Sequence, residues 1–472
     1  MTLLLAYYFG KNKVHERPYR WQVLQSEHFD VYFYQGEELL AQFAASVLEE
    51  AYDEYVDFFP KAPEDPVPVI IYASGREFQR TNVVPEILEE GVGGFTEIFK
   101  KRVVVPFEGS WSQFRRVLRH ELVHVFQYLL LDRPFGFGVY AAQQVPLWVM
   151  EGSAEYLSAG WDSEAEAFMR DAVINDWAVP LDYLANYGGY LVYKEGQAAM
   201  AFIEERWGRE KLKRLLGRIG SNEGFFKAVE DVLGVKMEDL AEEFAEYNKK
   251  RYYGLVRDFS FPTDSFRRLT DHTEDRSFLN LAPTLSPQGD RLAALSDREG
   301  YTDVYLLSLS DGKPIKRLLR GQRTPDAENL HLVRPGMSFS PSGDSLAVIA
   351  QGTGCDILHI VDVNKGKTVK KIPLKELDAA YTPAWGPKGI AVVGVKDGWP
   401  DLWLVDLETG SLSRLTSDPF EERDPKFFGD TLIYASDKGR GDFKYGSYAV
   451  FALVDGEEKR LTPYFNFVGW PH

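Results

Sequence analysis

His120, Glu121 and His124 are the residues whose types and spacing could do chemistry together. They stand in Arg119-His120-Glu121-Leu122-Val123-His124, inside an apolar pattern of helical period. Two histidines four positions apart lie one turn apart on one helix face, so both imidazoles can reach one ion. The glutamate next to the first histidine stands beside that ion and can take a proton from a water held there. His-Glu-x-x-His is the zinc hydrolase signature. A bare string of this kind also arises by chance on ordinary solvated helices. Here Leu118, Leu122, Val125 and Leu129 fall at helical spacing and can bury the opposite face, leaving the two histidines and Glu121 to line a cleft. Asp132-Arg133-Pro134 then ends the helix, because proline cannot continue it.

A catalytic zinc takes three protein ligands and keeps one position open. The candidate third ligand lies in Pro146-Leu147-Trp148-Val149-Met150-Glu151-Gly152-Ser153-Ala154-Glu155-Tyr156. Glu151 and Glu155 are one turn apart on a helix that Pro146 opens. Phe135–Gln144, with Gly136 and Gly138, reads as a loop that lets this helix fold back on the first. The W-x-x-E-G-x-A-x-Y pattern resembles the third-ligand helix of the gluzincins, notably the aminopeptidase N family. That resemblance implies Glu151 as the third ligand of one zinc ion per chain. It leaves Glu155 to bond a ligand histidine and fix its tautomer, or to be a surface carboxylate. The interval from His124 to Glu151, 27 positions, is longer than in that family.

Leu191-Val192-Tyr193-Lys194-Glu195-Gly196-Gln197-Ala198 resembles the Y-x-K-G-A stretch of the same enzymes, with Glu195 in place of the lysine. The resemblance implies that Tyr193 hydrogen-bonds the oxyanion. A phenol aimed at developing negative charge suits that role. A core tyrosine is the other reading, with Tyr190 and Tyr187 as substitutes. Upstream, Gly91-Val92-Gly93-Gly94-Phe95-Thr96-Glu97 stands where the family has its Gly-x-Met-Glu-Asn substrate strand. Gly93 and Gly94 with the following strand suit backbone pairing with a peptide. The acidic residue is shifted by one, to Glu97, which puts aminopeptidase specificity in doubt. The gluzincin resemblance covers residues 90–210.

The composition is that of a globular protein, 44% hydrophobic and 26% charged. A net charge of -17, from 54 basic and 71 acidic residues, argues against nucleic acid or an anionic membrane as a main partner. The single Cys355 allows no intrachain disulfide. No apolar run approaches the ~18–20 residues of a membrane span. Thr2–Phe9 is apolar but short, without a basic start or a cleavage site; it reads as a buried first strand or the stub of a signal peptide. No phosphate-binding glycine loop and no serine or cysteine nucleophile motif is present.

The elements that must position these residues follow from periodicity. Trp21–Tyr34 has strand character, Glu38–Phe59 is an amphipathic helix, and Val67–Tyr72 and Val103–Val105 are strands. Helices are expected over Pro146–Ser158, Tyr190–Trp207, Lys211–Ile219 and Met237–Lys250. From Asp258 a unit of ~45–50 residues repeats, a period that marks a repeat architecture. Leu285-Ser286-Pro287-Gln288-Gly289-Asp290 recurs as Phe339-Ser340-Pro341-Ser342-Gly343-Asp344 and, more weakly, as Trp385-Gly386-Pro387-Lys388-Gly389. Each unit has a third strand led by aspartate: Asp303, Asp356 and Asp401. Four strands per unit predict β-propeller blades. Four units are counted, the last (Asp424–Thr462) degenerate, with a stray fourth strand at Arg267–Thr270 and a stray first strand at Phe465–Trp470. The stretch Ser296–Tyr305 after LSPQGDRLAAL resembles TolB-like propellers, a resemblance that covers residues 266–470.

The expected architecture is multidomain α+β. A metallopeptidase domain spans 1–257, with an α/β sublobe at 20–110 and a helical lobe at 111–257. An all-β propeller of about four blades follows over 258–472, its ring not completed in the ordinary way: either four blades close and leave the chain ends as edges, or the chain is a shortened version of a longer protein. The expected function is zinc-dependent hydrolysis of peptide bonds in a peptide or protein substrate. The competing reading is a catalytically silent binding or scaffold protein that acts through the propeller. A protein partner or self-association through an open propeller edge is also expected. Resemblance implies a periplasmic or secreted setting, with the cytoplasm as the alternative.

Overall fold

The computed structural model describes residues 18–464 apart from 85–87, 89–90, 133–144, 222, 258–259 and 439–446. The expectations for Thr2–Phe9, Phe135–Gln144 and Phe465–Trp470 lie outside the described residues.

The first layer is a five-stranded sheet in the order β1-β2-β3-β5-β4. Its strands are β1 (Gln22–Gln25), β2 (Phe29–Phe33), β3 (Val67–Tyr72), β4 (Phe95–Thr96) and β5 (Val103–Pro106). Ser26–His28 divides the Trp21–Tyr34 segment into a hairpin rather than one strand. The alternation Phe29, Val31, Phe33 buries one face of β2, as a period of two requires. β2, β3 and β5 run parallel, and the crossover between β2 and β3 is helix α1 (Glu38–Phe58). The edge strand β4 is antiparallel to β5.

A short helix α2 (Gly75–Phe78) follows β3, and α3 (Trp111–Leu131) carries the histidines. Ser110 caps α3, its hydroxyl accepting from Gln113 N, and the residue after Asp132-Arg133 is the proline that forbids continuation. The lobe continues with α4 (Leu147–Ala159), α5 (Ser163–Ile174), α6 (Leu181–Leu184), α7 (Tyr190–Trp207), α8 (Arg209–Leu216), α9 (Phe225–Leu233) and α10 (Met237–Val256). Of these, α5, α9 and the single turn α6 are additions to the expected helices, and two of them carried a sequence signal. Their signals were local: Asp162 accepts from Ala165 N ahead of α5, and Gly234 closes α9 in the left-handed region.

From Asn280 onward the described chain forms four four-stranded antiparallel sheets in strict sequence order. The first holds β6 (Asn280–Leu285), β7 (Leu292–Ser296), β8 (Asp303–Leu307) and β9 (Pro314–Arg320). The others run from β10 (Met337–Phe339) to β13 (Lys367–Pro373), from β14 (Ala379–Gly386) to β17 (Leu412–Arg414), and from β18 (Glu422–Phe428) to β21 (Glu457–Arg460). The fourth sheet is complete, not degenerate: β18 (Glu422–Phe428), β19 (Thr431–Ser436), β20 (Ala449–Val454) and β21 pair in full. Successive sheets stack face to face, whereas the first and last do not stack to a comparable extent, so among the described residues the row is not closed. The expected strand at Arg267–Thr270 is absent. Leu269 there packs on Leu292, Ala294, Tyr305 and Leu307, covering the outer face of the first sheet without entering its ladder. A strand needs a neighbour about 4.8 Å away, and the outer position beside β8 is already taken by β9.

The row of sheets meets the first layer through Trp111 against Trp399, Tyr381 Oη donating to Glu108 Oε2 (3.2 Å) and Gln351 Nε2 donating to Gln79 Oε1 (3.1 Å).

Candidate active site

Two helices build the centre. On α3 the apolar positions Leu118, Leu122 and Val125 are fully buried, which turns His120 and His124 toward α4. Tyr55 of α1 reaches across both helices, its hydroxyl lying 3.3 Å from Arg119 O and 3.2 Å from Leu157 O. Arg119 adds Nε to Ser158 O (3.3 Å) and Nη2 to Leu157 O (3.3 Å), satisfying carbonyls at the end of α4.

Helix α4 crosses α7 through two glycines. A Cβ on Gly152 would lie 2.3 Å from the carbonyl carbon of Gly196, and one on Gly196 would lie 2.3 Å from Trp148 O. Only bare backbone fits, and this contact brings Glu151 and Tyr193 to the same side as the histidines.

Three atoms form a small triangle. His120 Nε2 lies 3.1 Å from His124 Nε2 and 3.2 Å from Glu151 Oε2, and His124 Nε2 lies 3.3 Å from Glu151 Oε2. Three donors each about 2.0–2.1 Å from a tetrahedral ion would stand about 3.3 Å apart. The triangle therefore fits a zinc-sized ion, and the set of two imidazoles and a carboxylate is one that zinc takes. Among the described residues this is the one group of His, Cys, Asp and Glu side chains placed to hold a metal.

The ring nitrogens that face away from the triangle are tied down. Gln127 Nε2 donates to Met150 O (2.9 Å) and Ser153 Oγ (2.8 Å). Its Oε1 must then accept from His124 Nδ1 (2.7 Å), which leaves the Nε2 lone pair of His124 in the triangle. Glu155 Oε1 lies 3.3 Å from His120 Nδ1 and does the same for that ring. Glu155 is only 8% exposed, and its charge is balanced by Arg116 and by the fully buried Lys194, whose Nζ lies 2.7 Å away. Burial raises the Glu155 pKa, but His120, Arg116 and Lys194 outweigh it and hold the carboxyl well below the usual range. Burial works against a charged His120, yet Glu151 and Glu155 push its pKa up to about 10. Glu151 is held ionised by the two imidazoles against its own burial. Negative charge is thus concentrated where a cation would sit.

Glu121 is 5% exposed and takes a hydrogen bond from Thr96 Oγ1 at 2.8 Å. The Tyr193 ring lies parallel to His120, with centroids 6.2 Å apart, and Tyr128 stacks likewise on His124 at 6.0 Å. Burial first, then the carboxylates of Glu151, Glu121 and Glu155, push the Tyr193 pKa well up, so the phenol stays a proton donor. Gly94 lies against Glu121: a Cβ there would be 3.2 Å from its Cγ. Gly93 lies against Val117. Glu97 is engaged in the turn between β4 and β5, accepting from Phe99 N, Lys100 N and Arg102 Nε. That turn satisfies its carboxylate without a substrate.

The structure thus brings together His120, Glu121, His124, Glu151, Glu155, Tyr193 and Gly94, and turns Glu97 into the hairpin. Sequence reasoning missed Thr96, Arg116, Gln127, Tyr128 and Lys194. Gln127 and Tyr128 were within reach, being three and four positions after His124 on the same helix face.

No curated protein sequence matches this chain. Among solved structures, similarity extends to TolB from Acinetobacter baumannii (21% identity over 39% of this chain and 44% of that one, TM-score 0.31). It extends also to a putative TolB from Agrobacterium tumefaciens (23% identity, 39% and 62%, TM-score 0.31) and to a puromycin hydrolase (22% identity, 43% and 32%, TM-score 0.32). Each alignment spans less than two thirds of the other chain. Residues 57–250 match the model of the Peptidase MA superfamily, and the triangle of His120, His124 and Glu151 lies inside that stretch with helices α3, α4 and α7.

Proposed function

We propose that this chain is a zinc-dependent peptidase of gluzincin type, joined to an open TolB-like propeller. The observation that carries the reading is the triangle of His120 Nε2, His124 Nε2 and Glu151 Oε2, with edges of 3.1–3.3 Å and Glu121 beside it. Zinc held there would polarise the scissile carbonyl and make water a better nucleophile near neutral pH. Glu121 takes the proton from the attacking water on its carboxylate and passes it to the leaving amine nitrogen. Tyr193 directs its phenolic proton at the carbonyl oxygen as negative charge develops there. The free edge of β4 accepts an extended peptide by backbone pairing, with Gly93 and Gly94 allowing close approach. Glu97 is spoken for by its own turn, which favours a cleft open at both ends over capture of a free amino terminus. No helix among the described residues is long and apolar enough to cross a membrane. A periplasmic or secreted home, and self-association through the open face of the sheet row, belong to the same proposal.

The test is a peptide-library digestion by the full chain, with and without a chelator, read by mass spectrometry beside elemental analysis. One zinc per chain and chelator-sensitive cleavage are expected. Glu121→Gln should retain the metal and lose turnover by about 10²–10⁴-fold. A metal-free, inert wild-type chain would favour the binding-protein reading instead.

A further inference from the structure

The base Glu121 is oriented from outside its own helix. β4 is an edge strand, with Phe95 opposite Val104 and Thr96 opposite Val103. Neighbouring residues of a strand point to opposite faces. Phe95 joins the aromatic cluster with Tyr72 and Phe78, and Thr96, 8% exposed, faces α3. There its Oγ1 lies 2.8 Å from Glu121 Oε2 and 2.9 Å from Glu121 O. A hydroxyl has one proton, so it serves both acceptors at once or alternates between them. The adjoining Gly94 supplies an independent observation. A Cβ there would stand 3.0 Å from Val105 Cγ1 and from Val117 Cγ1, besides crowding Glu121 Cγ. The chain is stripped of a side chain at Gly94, where it meets the base, and carries a hydroxyl two positions on, at the next place on the same face.

We propose that Thr96 is a positioning residue for the general base, and that it ties the base to the strand that receives the substrate backbone. The hydroxyl holds Oε2 of Glu121, which leaves Oε1 as the oxygen that takes the proton. Because β4 also offers the free edge for a peptide, one rigid strand sets both the height of the scissile bond and the direction of the carboxylate. This rests on the peptidase reading above. An ångström-scale error between base and reacting atoms costs up to about 10²-fold in rate, so the effect falls on kcat.

The test compares Thr96→Val, Thr96→Ser and the wild type as full-length zinc-loaded chains. Valine keeps the shape and the strand and removes the hydroxyl. Its kcat should fall by about 10–100-fold with KM within about twofold and zinc content unchanged, and serine should recover most of the loss. A crystal structure of Thr96→Val should show the Glu121 carboxylate rotated from its wild-type position. Wild-type kcat in the valine variant, or a change confined to KM, overturns the proposal. So does a Glu121 side chain left in place, and that readout needs no known substrate. A wild-type chain that cleaves nothing, with Glu121 displaced in Thr96→Val, counts against the peptidase reading and not against the positioning role.

Discussion

Both halves of the molecule bury charge, and they do it in opposite ways. In the row of sheets the buried acids recur: Asp303 and Asp356 each open a third strand, Asp401 lies near the start of another, and all are 0–3% exposed. Asp303 and Asp401 hold the chain near their own sheets, and Asp356 ties its sheet to the next. Asp303 Oδ1 accepts from Gly321 N (3.0 Å) and the carboxylate pairs with Arg317 and Arg323. Asp356 Oδ2 accepts from Ala380 N (2.7 Å), and Asp401 Oδ2 accepts from Arg414 Nε (3.0 Å). In the helical lobe the buried polar groups occur once and come from different elements, yet they converge. Glu151 and Glu155 from α4, the histidines and Gln127 from α3, and Lys194 from α7 all serve one triangle of atoms. Burial of charge marks a fold requirement when it repeats with the fold. It marks chemistry when unrelated elements aim it at one point.

The sharpest way to break that contrast is to remove one corner of the triangle. Glu151→Ala should lose most of the zinc and nearly all activity while its circular dichroism stays native. Stoichiometric zinc in that variant would shift the ligand role to Glu155. Next in size, Tyr193→Phe should lower kcat by about 10²–10³-fold, the range for loss of one oxyanion donor. A loss below tenfold there, with a larger one in Tyr128→Phe, would move the role to the ring stacked on His124.

The sheets answer with stability instead. Asp303→Ala leaves Gly321 N and Arg323 without this acceptor, while Arg317 keeps Glu299, and should cost about 3 kcal/mol in chemical denaturation. Its zinc content and kcat should match the wild type; metal loss would erase the distinction between the two kinds of buried acid. An effect that depends on pH is expected at Glu195, which neither repeats nor converges. It is fully buried, with Oε1 accepting from Val179 N (2.9 Å) and Oε2 without a partner. Burial pushes its pKa from 4.5 up to about 8, against the pull of Val179 N–H. A raised carboxyl pKa favours the protonated folded form, so its stability is full below about pH 4.5 and is lost as the pH climbs to about 8. Glu195→Gln should therefore gain thermal stability relative to the wild type across that window. A constant offset with pH would contradict the assignment.

The histidines, Glu121 and the Glu151 helix were legible in the sequence because their spacing is set within one or two helices. The repeat was legible too, since Ser-Pro-x-Gly turns recur at fixed offsets. Thr96 and Lys194 were not, because their roles arise where a strand or a third helix crosses the site, and no local period records a crossing. Arg267–Thr270 shows the converse error: its residues match the repeat, but the pairing position that would make them a strand is filled by β9. Glu97 was misplaced for a similar reason, its acid satisfied by the tight turn to β5.

The contact of Gly152 with Gly196 bears on which ion the centre would accept. Side chains between two helices can give way, whereas touching backbones cannot, so the crossing of α4 and α7 works as a fixed gauge block. The height of Glu151 above the two imidazoles is set by that block, and with it the size of the triangle. A calcium-sized ion, with oxygen ligands at about 2.3–2.6 Å, would need the corners spread further apart than the block allows. A single methyl at either glycine would loosen that gauge and trade ionic selectivity for space.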